Sequence, residues 1–251
     1  MQDSHLSVSI ITICLNSEST IEITINSVIS QTYPHIEYII IDGGSTDNTL
    51  EIIQQYRSKI HLFISEKDRG IYDAMNKGVD RASGDIIYFL NSGDYFYNKN
   101  VIETMAEQME EFEDTGIFIG DTILYDTESE ERISGFRQDK IEYIARVVNH
   151  QAIFARNSVF EKIGGFDIKY KIYSDYDWLL RALFKFDIKV KYIPVPVSRY
   201  LKGGLSDTKW KEFIFERREI FQKYVSFREI IIYALRYPKD AISFFKFRYF
   251  R

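Results

Sequence analysis

Hydrophobic positions in the first half of the chain alternate between two spacings. Short apolar runs rich in β-branched residues are each followed by a segment in which apolar residues recur at helical spacing, as Ile21, Ile25 and Val28 do. This alternation is typical of parallel strands joined by right-handed crossovers, with helices on both faces of the sheet. The predicted strands are Ser7–Leu15, Glu37–Asp42, Ile60–Ser65 and Ile86–Leu90, and the predicted helices are Ile21–Ile29, Thr49–Tyr56 and Ile71–Ala82.

The second half of the chain has a less regular pattern. We expect it to complete the same sheet, because it contains no internal repeat and no low-complexity linker. Proline cannot donate to a sheet ladder, so Pro194 and Pro196 are expected to stop the last strand. The predicted elements are a helix at Val101–Phe112, a strand at Ile117–Ile119, a surface hairpin or loop at Asp126–Arg132, an apolar run at Ala152–Ala155, a helix at Asp175–Phe186 and a strand at Lys189–Ile193.

Composition excludes several classes of protein. The chain has 251 residues, one cysteine, 45% hydrophobic residues and a formal net charge of −5 at pH 7. A lone cysteine excludes a disulfide-stapled domain, and the hydrophobic content excludes a disordered chain. The acidic balance argues against a nucleic-acid partner. The start lacks the basic and apolar regions of a signal peptide, and no apolar run approaches the length of a membrane span, so we expect a cytoplasmic protein.

The C-terminal segment differs from the rest. Residues 228–251 hold six Lys or Arg and two acidic residues, a local charge of +4, with aromatic residues between them. We therefore divide the chain into a body, 1–226, and a basic aromatic tail, 227–251, in which Pro238 can open a helix with Ile242, Phe245 and Tyr249 on one face. The tail either lies on the anionic inner face of the cell membrane or packs on the domain or on a second copy.

Polar residues follow the predicted strands at the edge where open α/β sheets bind ligands. Asp42 ends the second strand, and Gly43 and Gly44 follow it, which suits either a ligand-binding turn or a capped βα turn. The fourth strand ends in Asn91-Ser92-Gly93-Asp94, whose oxygens can hold a divalent cation or form an Asx turn.

Two further segments carry charged groups. Ser65 to Gly78 places cations at a strand end and a helix start, where a phosphate would be attracted, although a solvated helix start explains the same residues. Asp175 and Asp177 open a later helix and point in different directions, so one can face a cleft while the other caps the helix or pairs with Arg181.

Taken together, these motifs resemble the family 2 glycosyltransferases, which are inverting enzymes with the nucleotide-sugar fold called GT-A. The resemblance is strongest to bacterial members that build O-antigen or capsule repeat units. It covers Ser7 to Asp207 and rests on five motifs in family order: SIITICLNSESTI, QTYPHIEYIIIDGGSTDNT, SEKDRGIYDAMNKG with GDIIYFLNSGD, NHQAIFARNSVFEKIGGFD, and SDYDWLLRA.

The resemblance implies a role for each matching position. Asp175 corresponds to the catalytic base and Asp94 to a ligand of Mg²⁺ or Mn²⁺. The residues implied in nucleotide and donor binding are Thr12, Glu18, Asp42, Gly44, Asp68, Arg69, Asn76, Asn91 and Ser92. The residues implied on the acceptor side are His150, Gln151, Gly203 and Gly204.

One departure from the family weakens the metal assignment. Asn91 stands where the usual D-x-D signature has its first aspartate, which leaves Asp94 as the charged ligand of this motif. Asparagine can still bind a cation through its carbonyl oxygen, so the resemblance continues to imply a metal cofactor.

The implied function is transfer of a hexose or N-acetylhexosamine from a nucleotide sugar, with UDP as the expected nucleotide. The expected acceptor is a polyprenyl-diphosphate-linked saccharide at the cytoplasmic membrane surface, and a homodimer is compatible with the sequence. A nucleotide-sugar-binding protein without transferase activity is the alternative. A nucleotidyltransferase is disfavoured because Asn16-Ser17-Glu18 stands where that class has a glycine-rich basic loop.

Overall fold

A nine-stranded sheet forms the centre of the protein in a computed structural model that describes residues 5–126, 129–137, 139–202 and 210–238. The strands are β1 Val8–Cys14, β2 Ile36–Asp42, β3 Leu62–Ser65, β4 Ile86–Phe89, β5 Tyr95–Phe96, β6 Ile117–Tyr125, β7 Glu130–Ile133, β8 Ile153–Arg156 and β9 Val190–Leu201. The helices are α1 Ile21–Ile29, α2 Thr49–Gln55, α3 Ile71–Val79, α4 Val101–Glu111, α5 Lys140–Ala145, α6 Asn157–Ile163, α7 Ser174–Leu180, α8 Trp210–Tyr224 and α9 Phe227–Arg236.

The strands are ordered β3-β2-β1-β4-β8-β6-β9-β5, and β7 pairs with β6 outside this row. β1, β2, β3, β4, β6 and β9 run in one direction, whereas β5, β7 and β8 run in the opposite one. The predicted α/β class with a mostly parallel sheet is confirmed, as is the prediction that the second half completes the sheet.

The central strand β1 is buried along its whole length. Its side chains alternate between two hydrophobic clusters, so that Ile11 and Ile13 face one side of the sheet and Ile10 and Cys14 face the other. A strand covered by helices on both faces reads as a continuous apolar run, which explains why the sequence located β1 so clearly.

β9 differs from its predicted extent. It continues through both prolines to Leu201 instead of stopping at Ile193. The register between β6 and β9 shifts at Asp121, which pairs with Pro196, so the prolines lie at an irregularity in the ladder. On its other side β9 pairs with β5 only at Ser198 and Arg199 within the described residues, which leaves the prolines without a second strand to bond. Prolines are tolerated at such positions.

The acidic stretch after β6 and the helix that begins at Ser174 both contain the predicted kind of structure. The acidic stretch after β6 contains β7, which pairs antiparallel with β6, so a surface hairpin is present there. The helix predicted from Asp175 to Phe186 is found as α7 followed directly by a π-helical turn, Arg181–Lys185.

The last two helices pack on the body of the protein. Tyr233 of α9 is buried, and Phe221 and Val225 form a small cluster with Ile144 of α5. The tail positions predicted to share a helix face, Ile242, Phe245 and Tyr249, lie outside the described residues. Among the described residues, no helix combines the length and apolar character needed to cross a bilayer.

The packing of α3 on the sheet can be tested at Gly78. A Cβ added there would lie 2.4 Å from Cγ2 of Ile11 on β1. In an exposed helix, replacing glycine by alanine stabilises by about 1 kcal/mol, but overpacking a core costs about 1–3 kcal/mol. We therefore expect Gly78→Ala to lower the free energy of unfolding, measured by urea denaturation.

A double-mutant cycle provides the control for this prediction. In an Ile11→Ala background, Gly78→Ala should destabilise less than it does in the native chain, because the clashing methyl group is gone. Additive effects of the two substitutions would contradict the proposed contact.

Candidate active site

The turn after β2 is organised by the carboxylate of Asp42, which is fully buried. Its Oδ2 accepts hydrogen bonds from the backbone N–H groups of Gly44 and Ser45, both at 3.0 Å, and from the Ser65 hydroxyl at 2.7 Å. The Ser45 hydroxyl donates to Oδ1. Burial raises the pKa of Asp42, but these hydrogen bonds outweigh it and hold that pKa below its ordinary value. Gly44 supplies the positive φ of 90° that the turn requires.

The turns after β1 and β2 are tied together by side chains. Glu18 accepts from the backbone N–H of Asn48 at 3.1 Å and from its side-chain amide at 2.9 Å, and Asn16 accepts from the N–H of Thr46 at 2.9 Å. Glu18 thus caps the start of α2 in this structure. Its predicted role in nucleotide binding stays a prediction.

Thr12 lies on β1, ahead of the turn that contains Glu18. It is fully buried in the sheet, and its hydroxyl donates to the carbonyl of Leu90 at 2.8 Å. Thr12 therefore joins β1 to the end of β4 in this structure. Its implied place at the edge of the nucleotide pocket stays a prediction.

The turn after β4 brings together several of the predicted residues. Asp94 is buried, and its Oδ2 accepts from the side-chain amide of Gln151 at 2.8 Å. Burial raises the pKa of Asp94 to about 6, against the opposing effects of nearby His150 and of the Gln151 hydrogen bond. Ser92 is held by Thr20, with 3.0 Å between their hydroxyl oxygens.

The candidate base Asp175 belongs to a short hydrogen-bonded chain. Its Oδ2 lies 3.3 Å from Nδ1 of His150, and Nε2 of the same ring lies 2.8 Å from Nδ2 of Asn91. If the Asn91 amide donates to Nε2, the neutral ring carries its proton on Nδ1 and donates it to Asp175. The sequence placed His150 on the acceptor side, whereas the structure gives it direct contact with the carboxylate.

Tyr72 is a residue that the sequence reasoning missed. Its hydroxyl lies 3.1 Å from Oδ1 of Asp175 and donates to the carbonyl of Ile172. Burial, and then the adjacent Asp175, raise the pKa of Tyr72 well above its ordinary value, so the group is a neutral phenol. The signal that could have found it is its place in the GIYDAMNKG motif, one residue after the start of α3.

Asp68 and Arg69 lie near the turn of Asp42, and Asn76 lies further along α3. A Cβ at Gly43 would lie 2.4 Å from Oδ2 of Asp68, so glycine permits this close approach. Arg69 is paired with Asp73 at 2.7 Å. A cavity of about 150 Å³ opens beside Arg69, Tyr72 and Lys171.

Asn76 has a structural task in the protein. Its amide donates to the carbonyl of Phe166 at 2.9 Å and accepts from the N–H of Phe166 at 2.8 Å. These two bonds attach α3 to the loop before α7 and use both ends of the amide. They explain Asn76 without a ligand, and its predicted donor contact stays a prediction.

The two aspartates that open α7 are separated as the sequence suggested. Asp175 is partly accessible, whereas Asp177 is fully buried. Asp177 accepts from Lys223 at 2.9 Å and from the Tyr224 hydroxyl at 3.0 Å, and lies 3.9 Å from Arg181. The structure therefore leaves Asp175 as the carboxylate available for chemistry.

The structure brings Asp94, Asn91, His150, Gln151 and Asp175 into one connected group. The predicted acceptor residues Gly203 and Gly204 lie outside the described residues.

A metal ion fits this group only with help from a substrate. Oδ1 of Asn91 is buried and has no hydrogen-bond partner among the described residues. Asn91 and Asp94 share one turn, in which the Asp94 N–H donates to the Asn91 carbonyl at 2.9 Å. Within the described ranges, no cluster of three His, Cys, Asp or Glu side chains could hold a metal by itself. Mg²⁺ commonly uses one or two protein carboxylates together with substrate phosphates and water, and this donor set suits that mode.

Comparison with known proteins identifies the family of the chain and agrees with its fold. Residues 9–164 match the family model described as Glycosyl transferase family 2. The chain is 33% identical over 237 residues to a PGL/p-HBAD biosynthesis glycosyltransferase of Mycobacterium bovis (strain BCG / Pasteur 1173P2), covering 92% of this chain and 91% of that protein.

Two solved structures share the fold. S. aureus TarS 1-349 in complex with UDP-GlcNAc has a TM-score of 0.72 at 18% identity, over 95% of this chain and 73% of that one. The mannosyltransferase PcManGT from Pyrobaculum calidifontis, in complex with GDP-Man and Mn²⁺, has a TM-score of 0.67 at 16% identity, over 88% of this chain and 64% of that one. The predicted GT-A fold is confirmed, and the chain belongs to glycosyltransferase family 2 as a transferase enzyme, not a binding protein without catalysis.

Proposed function

We propose that the protein transfers a hexose or N-acetylhexosamine, with inversion, from a UDP-sugar to a hydroxyl group of a lipid-linked saccharide in cell-surface glycan biosynthesis. The observation that carries this proposal is the contact of Asp175 with His150 and Tyr72 at the edge of the sheet. The UDP-GlcNAc named for the TarS complex supports a uridine nucleotide. The glycosyltransferase relative supports a role in glycan assembly.

The reaction is a single displacement at the anomeric carbon. The acceptor oxygen forms a bond to that carbon from the face opposite the leaving group, and the bond to the diphosphate oxygen breaks with its electron pair. Asp175 takes the proton of the acceptor hydroxyl. His150 contacts one carboxylate oxygen and the Tyr72 hydroxyl lies beside the other, which restricts the orientation in which the base meets the acceptor.

Asp94 and the free oxygen of Asn91 would hold Mg²⁺ or Mn²⁺. Such an ion would supply positive charge for the leaving diphosphate. Family 2 and GT-A enzymes commonly use divalent metals, and the PcManGT complex contains Mn²⁺.

We further propose that the enzyme is cytoplasmic and works at the inner face of the cell membrane, where a lipid-linked acceptor would be presented. On α9, Tyr233 faces the body of the protein, while Phe227 and Leu235 are each 77% exposed and Ile231 is 44% exposed. These three residues are spaced four apart and share one face of the helix. Arg228 is exposed beside them, and the tail 227–251 carries a net charge of +4, which complements an anionic bilayer, whereas Arg236 pairs with Asp139.

A bilayer accounts for this face better than a second copy does. Three side chains on a short helix cover far less than the roughly 800 Å² per partner of a stable interface.

The assignment of Asp175 as base predicts the effect of Asp175→Asn. The amide cannot take a proton, so turnover should fall about 10²–10⁴-fold. Binding of the UDP-sugar, measured by calorimetry, should remain near that of the native enzyme. Asp114→Asn makes the same change at an exposed carboxylate and should leave turnover unchanged. Near-native turnover by Asp175→Asn would remove the assignment.

The metal site predicts opposite effects for two substitutions. Asn91→Asp adds a second carboxylate, so Mn²⁺ affinity in the presence of UDP should rise about tenfold, whereas Asp94→Asn should weaken it by at least as much. Electron paramagnetic resonance of free Mn²⁺ measures both. Unchanged Mn²⁺ binding by Asp94→Asn would show that Asp94 is not a ligand of the metal.

Thermal shift with a panel of nucleotide sugars, with and without Mn²⁺, would identify the donor.

Membrane binding can be tested by flotation with vesicles that contain phosphatidylglycerol. The pair Phe227→Asp and Leu235→Asp should reduce bound protein about tenfold or more. Phe215→Asp is a matched control, because Phe215 is a 74% exposed aromatic residue on α8, outside this row. Equal binding by the native chain and the double variant would contradict the membrane proposal. Loss of a dimer in sedimentation would instead show that the face joins two copies.

A further inference from the structure

A carboxylate on α8 is bonded to the backbone just before the candidate base. Oε1 of Glu216 accepts from the N–H of Lys171 at 2.6 Å, and Oε2 accepts from the N–H groups of Ile172 and Tyr173 at 2.9 and 3.0 Å. Hydrogen bonds to an ionised carboxylate are stronger than those between neutral groups. Glu216 therefore fixes three consecutive peptide units.

This three-residue segment controls two groups of the active site. Tyr173 is the N-cap of α7, and Asp175 is the second residue of that helix. The carbonyl of Ile172 accepts the Tyr72 hydroxyl, which also lies 3.1 Å from Asp175. A shift of the segment would therefore move the base and also remove the acceptor that holds its tyrosine neighbour.

Other contacts make α8 a firm support for Glu216. Ile220 of the same helix is fully buried. Lys223 of α8 donates to the buried Asp177 of α7 at 2.9 Å. Glu219 binds the side chains of Lys169 and Tyr170, at 2.8 and 3.2 Å, and contacts no backbone group in this segment that the structure records.

We propose that Glu216 is a positioning residue for glycosyl transfer. It holds residues 171–173 so that Asp175 and Tyr72 keep their places relative to the acceptor. The inference rests on the proposed role of Asp175 as base. It assigns a part of the active site to α8, which lies beyond the residues 9–164 that match the family model.

The test compares Glu216→Gln with Glu219→Gln in the full-length chain. The two substitutions make the same chemical change one turn apart on α8, but only Glu216 binds the backbone segment. For Glu216→Gln we expect kcat to fall about tenfold, with the KM for the UDP-sugar changed less than twofold. Glu219→Gln should leave kcat within about twofold of the native value. The conservative Glu216→Asp should recover part of the activity if its shorter carboxylate still reaches the segment.

Hydrogen exchange gives a readout that does not depend on catalysis. The amides of Lys171, Ile172 and Tyr173 should exchange faster in Glu216→Gln, while the thermal midpoint stays close to that of Glu219→Gln. Faster exchange with native kcat would overturn the positioning role, as would equal losses of kcat in both variants. Failure of Asp175→Asn to lose activity would instead overturn the proposed base, and the exchange result would still report on Glu216.

Discussion

The parallel pairing of β1 with β2 and β4 decides where the candidate site lies. In this register Cys14 is opposite Asp42, and the chain leaves β4 at Asn91 beside the end of β1. β8 is antiparallel to its neighbour β4, so the turn that precedes β8 lies beside the end of β4. This arrangement brings His150 and Gln151 to the same edge as Asn91 and Asp94. The turn before an antiparallel strand thus supplies two of the five residues of the connected group.

Four aspartates near this edge are each stabilised by a different environment. Asp42 is ionised because hydroxyl and backbone donors surround it, and Asp177 is matched by a lysine and an arginine. Asp94 is buried with one amide donor, and its pKa is raised accordingly. Asp175 has a histidine and a tyrosine as neighbours and no lysine or arginine within ion-pair distance in the described residues. A carboxylate without a permanent cation is the one best suited to take up a proton during a reaction.

The sequence was sufficient for the elements with a strong hydrophobic period and for the motifs at strand ends. It failed where distant parts of the chain decide the outcome. β9 passes through two prolines because its register with β6 shifts at that point. Tyr72 lies 103 residues from Asp175 along the chain, so no local spacing could have joined them. For the same reason, the pattern at Asp175 and Asp177 left open which of the two faces the cleft.

The two halves of the protein share one sheet and one apolar core, and polar side-chain contacts join them at the candidate site. Asn91 binds His150, Asp94 binds Gln151, Asn76 binds Phe166, and Tyr72 reaches both Ile172 and Asp175. In each pair the first residue belongs to the regular α/β half and the second to the mixed half. Within the proposed mechanism, the first half would hold the nucleotide and diphosphate, and the second would supply the base. A hydrogen bond depends on the angle at the donor as well as on the distance, so these bonds fix the relative orientation of the donor side and the base, which apolar packing alone does not specify.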